Sequence, residues 1–330
     1  MTLGNIQLEV RRENWPIAGK FTISRGSKTT AEVVVVELTC NGKLGRGECV
    51  PYARYGETVE GVIAQVETQR DALMTGLDRE SLQKTLPPGA ARNALDCAFW
   101  DLEAKTSGKR VWALAGLPEP VLVTTVYTLS LDTAENMGAA AARNADRPLL
   151  KLKLAGPEDL ARVRAVRAAA PGAKIVVDAN EGWTLDQYVA FAPELAGLGV
   201  AMIEQPLPAS EDAGLADVAH PVPVCADESC HDTASLADLA GRYDMINIKL
   251  DKTGGLTEAL RLKRAAQEMG MEIMVGCMIA TSLSMAPAIV VAQGVAVVDV
   301  DGPLLLAEDR PDGLFFDGSL VSPPQPTLWG

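Results

Sequence analysis

Five charged residues, Lys153, Asp178, Glu204, Asp227 and Lys249, follow one another at steps of 25, 26, 23 and 22, each at the end of a short apolar run. That interval fits one strand plus one returning helix. The runs are LLKLKL (149–154), KIVVDAN (174–180), VAMIEQP (200–206), PVCADES (223–229) and MINIKLD (245–251). They are too short for surface helices and read as buried strands. LVTTVYTL (122–129), EIMVGCM (272–278) and AVVDVDG (296–302) extend the series to eight. Ala- or Leu-rich helical patterns fill most gaps, as at 156–170, 184–198, 232–241 and 255–269. Eight strands alternating with helices predict an α/β chain folded as a (β/α)₈, or TIM, barrel with an imperfect first or last unit. A doubly wound sheet is the alternative, disfavoured because no Gly-rich phosphate turn follows any strand.

The chain before residue 120 has a different pattern. Strand-like IQLEVRR and AEVVVVELTC precede helical patterns near 57–76 and from Gly89 to Lys105. Strands followed by helices suggest a small α+β domain, and LAGLPEPV (114–121) reads as its exit linker. The division expected is 1–118 and 119–330, within a chain of 330 residues that can bury a large core. A net charge of −13 without a run of Lys or Arg argues against nucleic acid or an anionic membrane as partner. The most apolar stretch, 285–298, is broken by Pro287, Gln293 and Gly294 and is no membrane span. Charges appear by residue 9, unlike a signal peptide, and six cysteines lie scattered without a CxxC pair. These features suggest a cytoplasmic protein with free thiols; whether it is a monomer or a homo-oligomer stays open.

The strand ends carry the chemistry. Lys151 and Lys153 project from one face of a buried strand, where an ammonium is costly unless paired or functional. In a barrel, Asp178, Glu204 and Asp227 would stand on neighbouring staves at similar height, repelling one another and forcing their pKa values upward. A hard divalent cation removes that repulsion, and an all-oxygen set suits Mg²⁺. A single such acid is more simply a helix cap; three in succession favour the metal. Lys153 and Lys249 fall on staves two and six, which face each other. Two bases on opposite faces of one carbon can remove a proton from one side and return it from the other. A structural ion network is the alternative, expensive to bury without a ligand.

The motifs KLK, DAN, EQP, ADES and NIKLDKTGG, in this order, resemble the muconate-lactonizing-enzyme subgroup of the enolase superfamily, and ARNALDCAFWDLEAK is similar to its capping-domain helix. The resemblance covers nearly the whole chain. It implies a modified TIM barrel, (β/α)₇β, with an N-terminal α+β capping domain, lid loops near 15–30 and 47–58, and a C-terminal segment returning to the cap. It implies one Mg²⁺ on Asp178, Glu204 and Asp227, Lys153 and Lys249 as the acid/base pair, and Lys151 against the substrate carboxylate. Lys252 is expected to be an exposed charge.

Within the subgroup, VVDVDGP (297–303) discriminates. Asp299 and Asp301 share one face of the last strand and suit a free α-ammonium; a second metal site or an Asp-Gly turn is the plainer reading. The Asp-x-Asp pattern looks like that of the dipeptide epimerases, those acting on L-Ala-D/L-Glu in particular. Arg25 resembles the arginine that receives the glutamate side chain, a contact the guanidinium fork suits. Thr128 is a weaker substrate contact, and GCMIATS (276–282), with Met278, would present backbone groups. The implied activity is Mg²⁺-dependent epimerisation of a small dipeptide by two-base proton transfer through an enolate, in murein peptide recycling. Alternatives are another dipeptide, o-succinylbenzoate synthesis, a Schiff-base aldolase, and a non-catalytic metal- or peptide-binding barrel.

Overall fold

The computed structural model describes residues 5–330. Its N-terminal part is an antiparallel sheet of Gln7–Ile23, Gly26–Cys40 and Lys43–Cys49, packed on the helix Ala90–Ser107. The unbroken run Val33–Val36 is apolar at every position because the second strand is buried on both faces. Val34 and Val36 pack with the cap helix, while Val33 and Val35 join the barrel core. Gly45 and Gly47 let the helix lie directly on the third strand; a Cβ there would sit 2.3 Å from the Ala98 carbonyl oxygen and 2.0 Å from that of Ala94.

The helix in turn docks on the barrel through buried polar groups. Asp96 accepts from Thr257 N and Oγ1 at 2.9 and 2.6 Å, and Asn93 Nδ2 donates to Asp251 Oδ1 at 2.8 Å. Gly330 N donates to Asp101 Oδ1 and Trp329 Nε1 to the Cys97 carbonyl, so the C-terminal segment returns to the cap.

The second part is one parallel sheet of eight strands in chain order: Tyr127–Leu129, Leu149–Lys153, Lys174–Asp178, Val200–Glu204, Val224–Ala226, Met245–Ile248, Glu272–Val275 and Val297–Val298. Val126 N donates to Val298 O at 2.9 Å and joins the first stave to the last. One buried residue per stave, Val126, Leu149, Val176, Met202, Cys225, Met245, Met274 and Val297, forms a single apolar cluster inside the ring. Side chains two and four residues further on point into the same interior. This is a modified barrel of the kind that the resemblance implies.

Several local expectations need correction. The run 122–129 is split: Val123–Thr124 pairs outward with Leu320–Val321, and the barrel is joined only from Val126 on, with Tyr127–Leu129 in the ladder. The helical pattern at 57–76 is two helices, Val59–Glu67 and Arg70–Met74. The one at 232–241 shrinks to Thr233–Ser235 and Leu236–Leu239. The lid near 15–30 is a long β-hairpin turning at Ser24–Arg25 rather than a loop. No helix among the described residues is long and apolar enough to cross a membrane.

Candidate active site

Counting by twos from the apolar ring reaches every barrel residue that the sequence puts forward for the site. Thr128, Lys151, Asp178, Glu204, Asp227 and Asp299 lie two residues on; Lys153, Lys249, Met278 and Asp301 lie four on. Two further interior positions, Asn247 and Gly276, also lie two residues on; they open the motifs NIKLDKTGG and GCMIATS, which assign neither of them a role of its own. Asn247 Nδ2 donates to Glu204 Oε1 at 2.7 Å. A Cβ at Gly276 would come within 2.5 Å of the Asn247 amide, so glycine there leaves room for it. Period-two counting from Lys249 would have found Asn247.

These groups meet at the mouth. Lys153 Nζ lies 2.5 Å from Asp178 Oδ2, and Lys249 Nζ lies 2.6 Å from Asp227 Oδ2. Lys151 Nζ reaches Glu204 Oε2 at 2.6 Å, Asp299 Oδ2 at 2.7 Å and Asp178 Oδ2 at 3.5 Å. Burial alone would lower the Lys151 and Lys249 ammoniums, but the facing carboxylates outweigh it and hold both well above the usual lysine value. Burial would likewise raise Asp227, yet Lys249 and Lys252 keep it well below the ordinary carboxylate range. Glu204 goes the other way, raised by burial and by Asp178.

Lys252 is not the exposed charge expected. It is 2% exposed. It follows the strand in a single turn, Leu250–Thr253, that packs against the cap helix. Its ammonium donates to Asp227 Oδ1, to the Asp227 carbonyl and to the Asn247 carbonyl. The last strand also ends sooner than expected. Its ladder covers only Val297–Val298, and Asp301 begins a 3₁₀ turn, Gly302–Leu305. Asp299 and Asp301 nevertheless face the same cavity, with Thr128 N donating to Asp301 Oδ2 at 2.6 Å. Burial and the neighbouring Asp299 push Asp301 up to about 8.

A cavity of about 480 Å³ opens above this floor, with Lys153, Lys249, Asp227, Asp299, Asp301 and Met278 in its wall. The hairpin covers it. Arg25, at the hairpin tip, also lines the cavity, but its guanidinium is held by four partners. Nη2 donates to Glu228 Oε1 at 2.7 Å and to the Tyr52 hydroxyl at 2.9 Å; Nη1 donates to the Asn180 carbonyl at 3.0 Å and Glu181 Oε2 at 3.2 Å. Arg54, from the second lid segment, holds Glu181 through two bonds of 2.8 Å. Burial first, then the charges of Asp227 and Asp178, raise Glu228 to about 7.

The donor set fits a hard cation. Asp178, Glu204 and Asp227 are buried carboxylates. Glu204 Oε2 has an ammonium close by but no hydrogen bond of proper geometry, and two asparagines bury an unbonded carbonyl oxygen, Asn247 beside Glu204 and Asn180 two residues beyond Asp178. Oxygen atoms without hydrogen-bond donors suit Mg²⁺ or a similar ion. The three acids are each turned to a lysine rather than drawn together. The tightest cluster of metal-ligating atoms among the described residues is instead Cys277, Asp299 and Asp301.

Residues 5–116 match the family model "Mandelate racemase / muconate lactonizing enzyme, N-terminal domain", and residues 136–323 match "Enolase C-terminal domain-like". The chain is 48% identical to an L-Ala-D/L-Glu epimerase of Escherichia coli (strain K12), over 94% of this chain and 97% of that one. It is 43% identical to an N-acetyl-D-glutamate racemase of Pseudoalteromonas sp, over 90% and 95% respectively. A crystal structure of an enolase family member from Agrobacterium tumefaciens, with bound sodium and L-Ala-L-Glu, shares 56% identity at a TM-score of 0.97, covering 98% of this chain and 100% of that one.

Proposed function

The chain belongs to the enolase superfamily, in its mandelate racemase / muconate lactonizing enzyme branch, and we propose that it is a dipeptide epimerase that interconverts L-Ala-D-Glu and L-Ala-L-Glu. The observation that carries this reading is the pair Lys153 and Lys249 on facing staves, with Asp299 and Asp301 at one end of the same cavity. A substrate α-carbon between the two lysines presents one face to each. The neutral lysine takes the α-proton, and the opposite ammonium gives one back on the far side, which inverts the centre.

Asp178, Glu204 and Asp227 would hold Mg²⁺, which would supply positive charge against the substrate carboxylate as the α-carbon loses its proton. With these acids so engaged, they no longer hold protons on the lysines, and one lysine can serve as base near neutral pH. Lys151 adds a fixed ammonium beside the substrate carboxylate. The Asp299–Asp301 pair accepts from the alanine ammonium, and Thr128 holds Asp301 in place. Met278 lines the wall beside the peptide. Arg25 receives the glutamate side chain by exchanging an internal acid partner for it. A place in murein peptide metabolism follows from that substrate.

The test is proton NMR of both Ala-Glu epimers in D₂O with Mg²⁺. Loss of the glutamate α-proton signal with interconversion supports the reading; no exchange in either epimer removes it. The N-acetyl-D-glutamate racemase relative motivates a second substrate. N-acetyl-glutamate has no ammonium to place at Asp299 and Asp301, so it should turn over more slowly than Ala-Glu. The reverse order would make N-acyl-glutamate racemisation the better reading.

A further inference from the structure

We infer that Gln205 is the positioning residue of the candidate metal site: it fixes Asp227 and couples the three strand ends that carry the acids. The inference rests on the metal reading of Asp178, Glu204 and Asp227. Gln205 is not in the wall of the 480 Å³ cavity and carries no charge, so nothing in the proposed chemistry requires it. It is wholly buried, directly after Glu204, and holds a φ of +34°. A non-glycine residue keeps such a backbone only where its surroundings over-determine it.

The surroundings do so through seven hydrogen bonds. Side-chain Oε1 accepts from the backbone N–H of Asp227 at 2.8 Å and of Ser229 at 3.1 Å. Nε2 shares its two hydrogens among three acceptors, the Leu207 carbonyl, Ser229 Oγ and the Tyr243 hydroxyl, at 2.8–2.9 Å. Its backbone N–H goes to the Cys225 carbonyl, and its carbonyl receives the N–H of Glu181, both at 2.9 Å. One residue therefore spans the loops after staves three, four and five.

The direction of the amide is fixed as well. Ser229 Oγ and Tyr243 OH both donate to Asp212 Oδ2, at 2.6 and 2.8 Å, so each offers Nε2 only a lone pair. Asp212 thus orients two hydroxyls, the hydroxyls orient the amide, and the amide oxygen is left facing two backbone N–H groups. The last of these sets the turn from which the Asp227 carboxylate projects. Ligand-orienting partners of this kind commonly govern metal affinity.

Isothermal titration of the substrate-free protein with MgCl₂ tests this without any reaction. Gln205→Leu leaves two buried N–H groups without an acceptor and should weaken Mg²⁺ binding about 10- to 100-fold. Tyr243→Phe removes one partner of Nε2 but leaves Asp227's acceptor; it should lower thermal stability and leave Mg²⁺ affinity within about twofold, well short of the loss typical of orienting partners. Gln205→Glu keeps the acceptor and should bind Mg²⁺ more tightly than Gln205→Leu. Unchanged affinity in Gln205→Leu, or an equal loss in Tyr243→Phe, overturns the inference. Should Gln205→Leu not fold, a loss of about tenfold or more in Gln205→Glu overturns it, and a smaller loss supports it. A wild type that binds no Mg²⁺ would remove the metal reading and this inference together.

Discussion

Lys252 Nζ grips Asp227 twice, at 2.6 Å through Oδ1 and at 2.5 Å through the carbonyl of the same residue. Lys249 takes the remaining carboxylate oxygen. One buried aspartate is thus held by two ammoniums, only one of which lines the cavity. Lys252 contributes structure, and Lys249 is left for chemistry. Lys252→Met would strip one charge from a buried ion cluster and remove the hydrogen bonds that Lys252 makes to Asp227 Oδ1 and to the Asp227 and Asn247 carbonyls. Lys249 still pairs with Asp227 in this variant, so urea unfolding should show a clear loss that stays below the roughly 3–5 kcal/mol typical of leaving a buried charge wholly unpaired.

Lys153→Ala and Lys249→Ala each remove one side of the proposed proton transfer. Each should lower kcat for Ala-Glu epimerisation by at least about 10²–10⁴-fold, measured by NMR. Mg²⁺ titration of both variants should still show binding, because neither lysine is a ligand. An active single variant would show that one base suffices.

Asp301 and Asp251 are buried carboxyls raised to about 8 and about 7, burial being the first cause for each. Between the unfolded value near 4 and these folded values, the native state binds more protons than the unfolded chain. Their contribution to stability is therefore full below about pH 4 and lost as pH rises to 7–8. Urea midpoints of the metal-free protein should fall over that interval. Asp301→Asn and Asp251→Asn should each flatten the slope, and slopes equal to wild type would show that neither group holds its proton.

Arg25→Ala should cost selectivity more than turnover. A charged hydrogen bond contributes about 1.5–3 kcal/mol, so the kcat/KM preference for Ala-Glu over an uncharged dipeptide should drop about 10- to 100-fold. An unchanged preference would leave Arg25 as a clasp between the hairpin and Glu228 only.

The sequence was most legible where one period governs. Even spacing located the eight staves, and alternation put Lys151, Lys153, Asp299 and Asp301 inside. It failed where contacts come from afar. The partners of Arg25 lie on separate loops, at Tyr52, Asn180, Glu181 and Glu228, which no local pattern connects. Lys252 was misread because a lysine one turn beyond a strand looks solvated, and only the cap helix packed over that turn hides it. Gln205 carries no charge and sits between two informative residues, so its role appears only once its hydrogen bonds are traced.

The ring of eight apolar side chains beneath Lys151 has a kinetic meaning. It stops the barrel like a cork, and the way in from solvent lies at the opposite end, where the hairpin and the Tyr52–Arg54 segment line the mouth. A proton taken from the substrate therefore has one exit. The Arg25–Glu228 clasp narrows that mouth without shutting it: Lys153 and Lys249 keep 8% and 6% of their surface exposed with the clasp formed, so a proton on either lysine would trade with bulk water from the mouth side alone.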